Sequence, residues 1–148
     1  METHFRTIDG LSIRFTESED RDDHALLLSP WPESLLAFEP TWAQLAERTH
    51  LVAIDLPGFG HSQRRDALLC PRAMGEFVIR AADAFALENP HVIGPDIGTG
   101  ASLFAAALHP GRLRSLVVRK RWHGIPTPAW WGAERLGPSP RPRAIPKR

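Results

Sequence analysis

Gly94-Pro95-Asp96-Ile97-Gly98 stands between a short apolar run, Val92-Ile93, and a helical pattern that opens with Thr99-Gly100-Ala101-Ser102-Leu103-Phe104. Glycine on both sides of one residue lets a strand and a helix approach closely across a sharp turn, because glycine lacks a Cβ and tolerates strained backbone angles. This is the layout of a nucleophile elbow, G-x-Nu-x-G, in which the central side chain is pushed out above a sheet. Here that side chain is Asp96. A carboxylate so placed suits covalent catalysis through an ester, formed by attack on an electrophilic carbon. An aspartate between a strand and a helix also serves as an N-cap, accepting a hydrogen bond from first-turn N–H groups. The pentapeptide alone leaves both roles open.

The rest of the chain alternates in the same way. Residues 4–8 and 11–16 read as strands joined at Asp9-Gly10, a favoured hairpin pair. Ala25-Leu26-Leu27-Leu28 and Leu51-Val52-Ala53-Ile54 are uninterrupted apolar runs, which suit strands buried on both faces of a parallel sheet. Between them, residues 34–47 carry a partly helical pattern interrupted by Pro40. Residues 71–87 are the clearest helix: proline opens it, and Met74, Phe77, Val78, Ala81, Ala82 and Phe85 recur at helical spacing. A strand over 91–93, a helix over 99–108 and a strand over 113–118 complete the order. Three strands followed by helix–strand repeats predict an α/β fold with a mostly parallel sheet and flanking helices.

A chain of 148 residues can bury one core, and its 43% apolar and 24% charged content is that of a soluble globular protein. No apolar run approaches the ~20 residues of a membrane helix, and Met-Glu-Thr-His-Phe-Arg lacks the basic-then-apolar pattern of a signal peptide. No membrane partner is expected. Cys70, the sole cysteine, offers neither an internal disulfide nor a metal-ligand spacing, which fits a reducing cytoplasm. No cofactor and no metal are called for. The net charge of +1 is divided sharply: residues 119–148 hold eight Lys/Arg against Glu134, whereas the preceding residues hold ten basic and sixteen acidic side chains. Six of the fourteen prolines and three of the five tryptophans also follow Val118. The chain therefore divides into a folded unit, 1–118, and a basic Pro/Trp-rich tail, 119–148, of irregular or disordered composition.

Two further motifs accompany the pentapeptide. Asp55-Leu56-Pro57-Gly58-Phe59-Gly60-His61-Ser62 follows D-x-P-G-x-G-x-S, and Ser29-Pro30-Trp31-Pro32-Glu33-Ser34 is close to H-G-[FW]-P-E-S. In this order the three resemble the α/β-hydrolase fold family, in its epoxide hydrolase and dehalogenase-like branch, over residues 4–118. The resemblance implies Asp96 as nucleophile toward an epoxide or halogen-bearing carbon, and a His-activated water that hydrolyses the ester. It implies an oxyanion hole from the backbone N–H groups of Trp31 and Ile97, with the Trp31 side chain as apolar lining. Two positions depart from the pattern. Ser29-Pro30 replaces the usual His-Gly, and proline has no N–H and a fixed φ. Ile97 stands where haloalkane dehalogenases usually carry a halide-holding tryptophan, which disfavours haloalkanes. His61 and His109 fit a turn and a helix C-terminus, and neither is assigned to catalysis.

A complete enzyme of this branch continues with a cap domain, an acid-bearing strand and a histidine-bearing loop, the nucleophile coming first in chain order. The thirty residues after Val118 do not hold these parts, and His123 follows the last strand too closely to be the base. The expectation is a truncated, catalytically incomplete α/β-hydrolase that esterifies Asp96 without releasing the product. Its open sheet edge would favour aggregation or self-association. The break at Arg119 fits a one-base shift of reading frame: permitted codons for residues 119–136, read one base along, give a glycine-rich loop and an amphipathic helix. Two other readings use the same residues. One is a non-catalytic binding module whose basic tail meets nucleic acid or acidic lipid. Prolines interrupt those charges and no nucleic-acid motif is present, so no nucleic-acid partner is expected. The other is one half of a split hydrolase, completed by a second chain. In the favoured reading the partner is a small-molecule substrate.

Overall fold

A computed structural model describes residues 1–119, and the tail expected beyond Arg119, with His123, lies outside the described residues. Among the described residues six strands form one sheet in the order β1-β2-β4-β3-β5-β6. β1 (His4–Ile8) and β2 (Leu11–Glu17) make an antiparallel hairpin. Asp9 and Gly10 turn it with φ of 52° and 72°, the positive pair a two-residue hairpin of this hand requires. β2 runs antiparallel to β4 (His50–Ile54). From there β3 (His24–Leu28), β5 (His91–Pro95) and β6 (Ser115–Arg119) continue the sheet in parallel. The predicted mostly parallel α/β sheet is therefore the one observed.

The uninterrupted apolar runs are explained by helices on both faces. α2 (Pro71–Ala84) and α3 (Ile97–Leu108) cover one face, where Ile13, Leu26, Leu28, Ile54, Phe77, Val78, Ala101 and Ala105 share the main core. Burying a side chain such as Phe77 or Leu26 contributes about 1.5–3 kcal/mol. α1 (Glu39–Ala46), preceded by a 3-10 turn at Leu35–Phe38, covers the other face. Phe38 and Trp42 pack there on Ala25, Leu27, Leu35, Leu51 and Ala53. Pro40 does not interrupt this segment. It falls in the first turn of α1, where its missing N–H would have no helical partner.

α2 and α3 meet almost backbone to backbone: a Cβ on Gly75 would lie 2.8 Å from the Ala105 nitrogen. α2 ends at Ala84, short of the predicted 87, because Ala86 turns the chain with φ of 52°. α3 opens at Ile97, two residues before the predicted start. No helix among the described residues is long and apolar enough to cross a membrane. Among the described residues β6 borders the sheet, with Val117 57% exposed.

Candidate active site

The turn from β5 into α3 places Asp96 at the C-terminal end of the central strands with φ of 53° and ψ of −114°. A non-glycine residue held there stores strain on the order of 1–3 kcal/mol and persists only where its surroundings fix it. Three contacts do so locally. A Cβ on Gly94 would lie 2.2 Å from Ser102 Oγ and 2.5 Å from the Gly98 carbonyl oxygen, so β5 and α3 can meet only at a glycine. Ser102 Oγ, buried, donates to the Gly98 carbonyl at 2.7 Å. The Thr99 N–H donates to the Asp96 carbonyl at 3.0 Å. Gly98 needs its bareness less, since a Cβ there would stand 3.2 Å from Leu28 Cβ.

Asp96 occupies the N-cap position of α3, yet its carboxylate accepts no hydrogen bond from the first turn. The capping role left open by the sequence is therefore not the one this side chain plays. Asp96 is half-buried. Ile97 opens the helix, so its own N–H belongs to the unsatisfied first-turn set. The Ile97 side chain joins Leu56, Phe59, Leu69, Cys70, Pro71 and Met74 around a dimple of about 20 Å³. That is room for about one water, and not for a substrate.

β3 and β5 are paired with Leu26 opposite Val92 and Leu27 opposite Ile93. The two strands run parallel, so the loop after Leu28 leaves the sheet at the same end as Asp96. The Trp31 side chain is 52% exposed. The loop leaves β3 abruptly because Ser29 is tied to β4: its N–H donates to Ile54 O at 3.0 Å and its buried Oγ accepts from Leu56 N–H at 3.1 Å. The serine that replaces the usual histidine thus has a structural role that the motif did not suggest.

The 55–62 motif also proves structural. Asp55 is fully buried and accepts N–H bonds from Leu35 at 2.7 Å and His61 at 2.9 Å, with Arg14 Nη1 3.6 Å away. Ser62 Oγ donates to the Asp55 carbonyl at 2.7 Å. A Cβ on Gly60 would lie 2.1 Å from Asp55 Oδ2, so the glycine makes room for the carboxylate. His61 contributes its backbone and leaves its side chain exposed, while His109 caps α3 and meets Glu76 Oε2 at 2.7 Å through Nε2. His24, His50 and His91 open β3, β4 and β5, at the end of the sheet opposite Asp96.

This combination of a parallel sheet, a strained strand-to-helix turn and an N-terminal hairpin agrees with the sequence comparison. The family model for the alpha/beta hydrolase fold matches residues 25–138, and the chain belongs to that family. Among its relatives, RutD of Caulobacter sp. (strain K31), named for carbamate hydrolysis, is 34% identical over 120 residues, which are 78% of this chain and 44% of that protein. The epoxide hydrolase CorEH superposes with a TM-score of 0.73 at 23% identity, over 79% of this chain and 41% of its own. At that identity the likeness is one of fold alone. A membrane phospholipase A, described as a bacterial virulence factor, superposes with a TM-score of 0.72 at 30% identity, over 79% of this chain and 38% of its own. The chain thus spans less than half the length of each of these relatives.

Proposed function

We propose that Asp96 is the nucleophile of a hydrolase that opens epoxides through an ester. The observation that carries this reading is the strained turn, which holds an uncapping carboxylate at the C-terminal edge of the sheet. In the first step an Asp96 carboxylate oxygen bonds to one epoxide carbon and the carbon–oxygen bond of the ring breaks. The ring oxygen leaves as an alkoxide and takes a proton from water, giving a hydroxyalkyl ester. In the second step water adds to the ester carbonyl, the diol leaves with its oxygen, and the carboxylate and a proton are restored. Charge develops on the Asp96 carbonyl oxygen during that addition, where the N–H groups of Ile97 and Trp31 would stabilise it.

Of the described histidines, His24, His50 and His91 stand at the far end of the sheet, and His109 is engaged with Glu76. The reading proposed for these residues is esterification of Asp96. A carbon–halogen bond would be attacked in the same way, but Ile97 has no side-chain donor for a departing halide, which favours the epoxide.

Intact-mass measurement after exposure to a panel of small epoxides tests this, with Asp96→Asn as control. One adduct of the epoxide's mass, mapped to Asp96, is expected. A folded chain that takes no label would sink the reading. RutD and the phospholipase, at 34% and 30% identity, favour a second reading with an acyl substrate. Release of alcohol from an activated ester, with no epoxide label at Asp96, would support it.

A further inference from the structure

Arg119 ends β6 as the register partner of Pro95, and Pro95 has no N–H to contribute to the ladder. The Arg119 carbonyl turns instead to the site. It accepts the Asp96 N–H at 3.2 Å and the Thr99 hydroxyl at 3.2 Å. The same hydroxyl lies 2.8 Å from the Gly94 carbonyl, so its single proton is shared between β5 and β6. The Thr99 N–H meanwhile donates to the Asp96 carbonyl at 3.0 Å. Thr99 therefore grips the turn before Asp96, the turn at Asp96, and the neighbouring strand.

We infer that Thr99 is a positioning residue, which locks the strained Asp96 turn onto the end of β6. The inference rests on the nucleophile role proposed for Asp96. The Asp96 carboxylate gains no direction from a capping bond, so its aim is set by the backbone beneath it. The backbone at a helix N-terminus has free N–H groups and frays readily, and a φ of 53° is not one that aspartate would keep unaided. A reacting atom displaced by about 1 Å loses much of the advantage of prior orientation. Thr99 supplies the missing fixity by joining three backbone carbonyl groups, those of Gly94, Asp96 and Arg119, through one residue. β6 then acts as the abutment of the turn as well as the border of the sheet.

Thr99→Val keeps the shape and removes the hydroxyl, whereas Thr99→Ser keeps the hydroxyl. In the full chain, the rate of Asp96 labelling by a small aryl epoxide is read at saturation and separately as a half-saturating concentration. Hydrogen exchange at the Asp96 amide is followed in parallel. Thr99→Val is expected to lower the saturating rate about tenfold, the scale of one lost hydrogen bond. The half-saturating concentration stays unchanged and Asp96 exchange accelerates. Thr99→Ser restores both to within about twofold of the original. Labelling of Thr99→Val at the original rate, or a Thr99→Ser chain as slow as Thr99→Val, would overturn the inference. Should Thr99→Val not fold, Thr99→Ala takes its place. If the unsubstituted chain takes no label, the nucleophile reading has failed on its own account. Amide exchange then decides: faster exchange in Thr99→Val and rescue in Thr99→Ser support the lock, and unchanged exchange refutes it.

Discussion

Gly94 and Ser102 stand so close that a Cβ on the glycine would lie 2.2 Å from the serine hydroxyl oxygen. The glycine is needed here for contact and not for its φ, since it is absent from the left-handed positions of the chain. Gly94→Ala should cost about 1–3 kcal/mol, the range of an overpacked core. Adding Ser102→Ala should recover only part of the loss, because the Gly98 carbonyl remains 2.5 Å away. Thermal denaturation of the three variants measures this, and full recovery in the double variant would contradict it.

Asp96 lies at a φ that glycine adopts without penalty. Asp96→Gly should therefore raise stability, by about 1 kcal/mol, while abolishing epoxide labelling. A variant no more stable than the original would mean that the turn is not strained. Denaturant unfolding of the two chains side by side is the measurement.

Asp55 answers two N–H donors and faces Arg14 from a fully buried position. Asp55→Ala leaves all three unpaired and should destabilise by about 3–5 kcal/mol. The effect belongs to stability, so any chain that remains folded should still label at Asp96 in mass analysis.

At the opposite end of the sheet, the Glu88 N–H donates to His24 Nδ1 at 2.8 Å. His24→Ala removes that acceptor, so amide exchange at Glu88 should accelerate; exchange unchanged by the substitution would mean that the bond does not hold this turn.

β6 has β5 as its one neighbour among the described residues, and Val117 is 57% exposed on it. A lysine there places charge on the edge of the described sheet, a common protection against strand addition. Val117→Lys should shift any self-association toward monomer in light scattering at fixed concentration. Association unchanged by the substitution would place the contact elsewhere.

Most of the fold was legible because the apolar runs and their turn residues report burial directly. The hairpin at Asp9-Gly10, the buried strands around Leu26 and Val52, and the order of helices and strands all follow from that signal. One of its failures lies at the end of α2. Phe85 and Leu87 extend the helical spacing past Ala84, and both are buried, yet Ala86 has already turned the chain out of the helix. Periodicity recorded burial and was mistaken for helix. At the site, the glycines around Asp96 announced a close approach, and Gly94 makes one. The Thr99 and Arg119 contacts had no local signature, because they join residues 20 apart through a sheet register that only the folded chain displays.

The placement of β3 between β4 and β5 has one more consequence. The chain leaves β3 over the face covered by α1, but leaves β5 over the face covered by α3. Two paths that part in opposite directions open a crevice between them, a topological switch point created by connectivity and owed to no particular side chain. Residue 96 is delivered to the lip of that crevice whatever its identity. The sheet order fixes the address, and a single codon decides what chemistry arrives there.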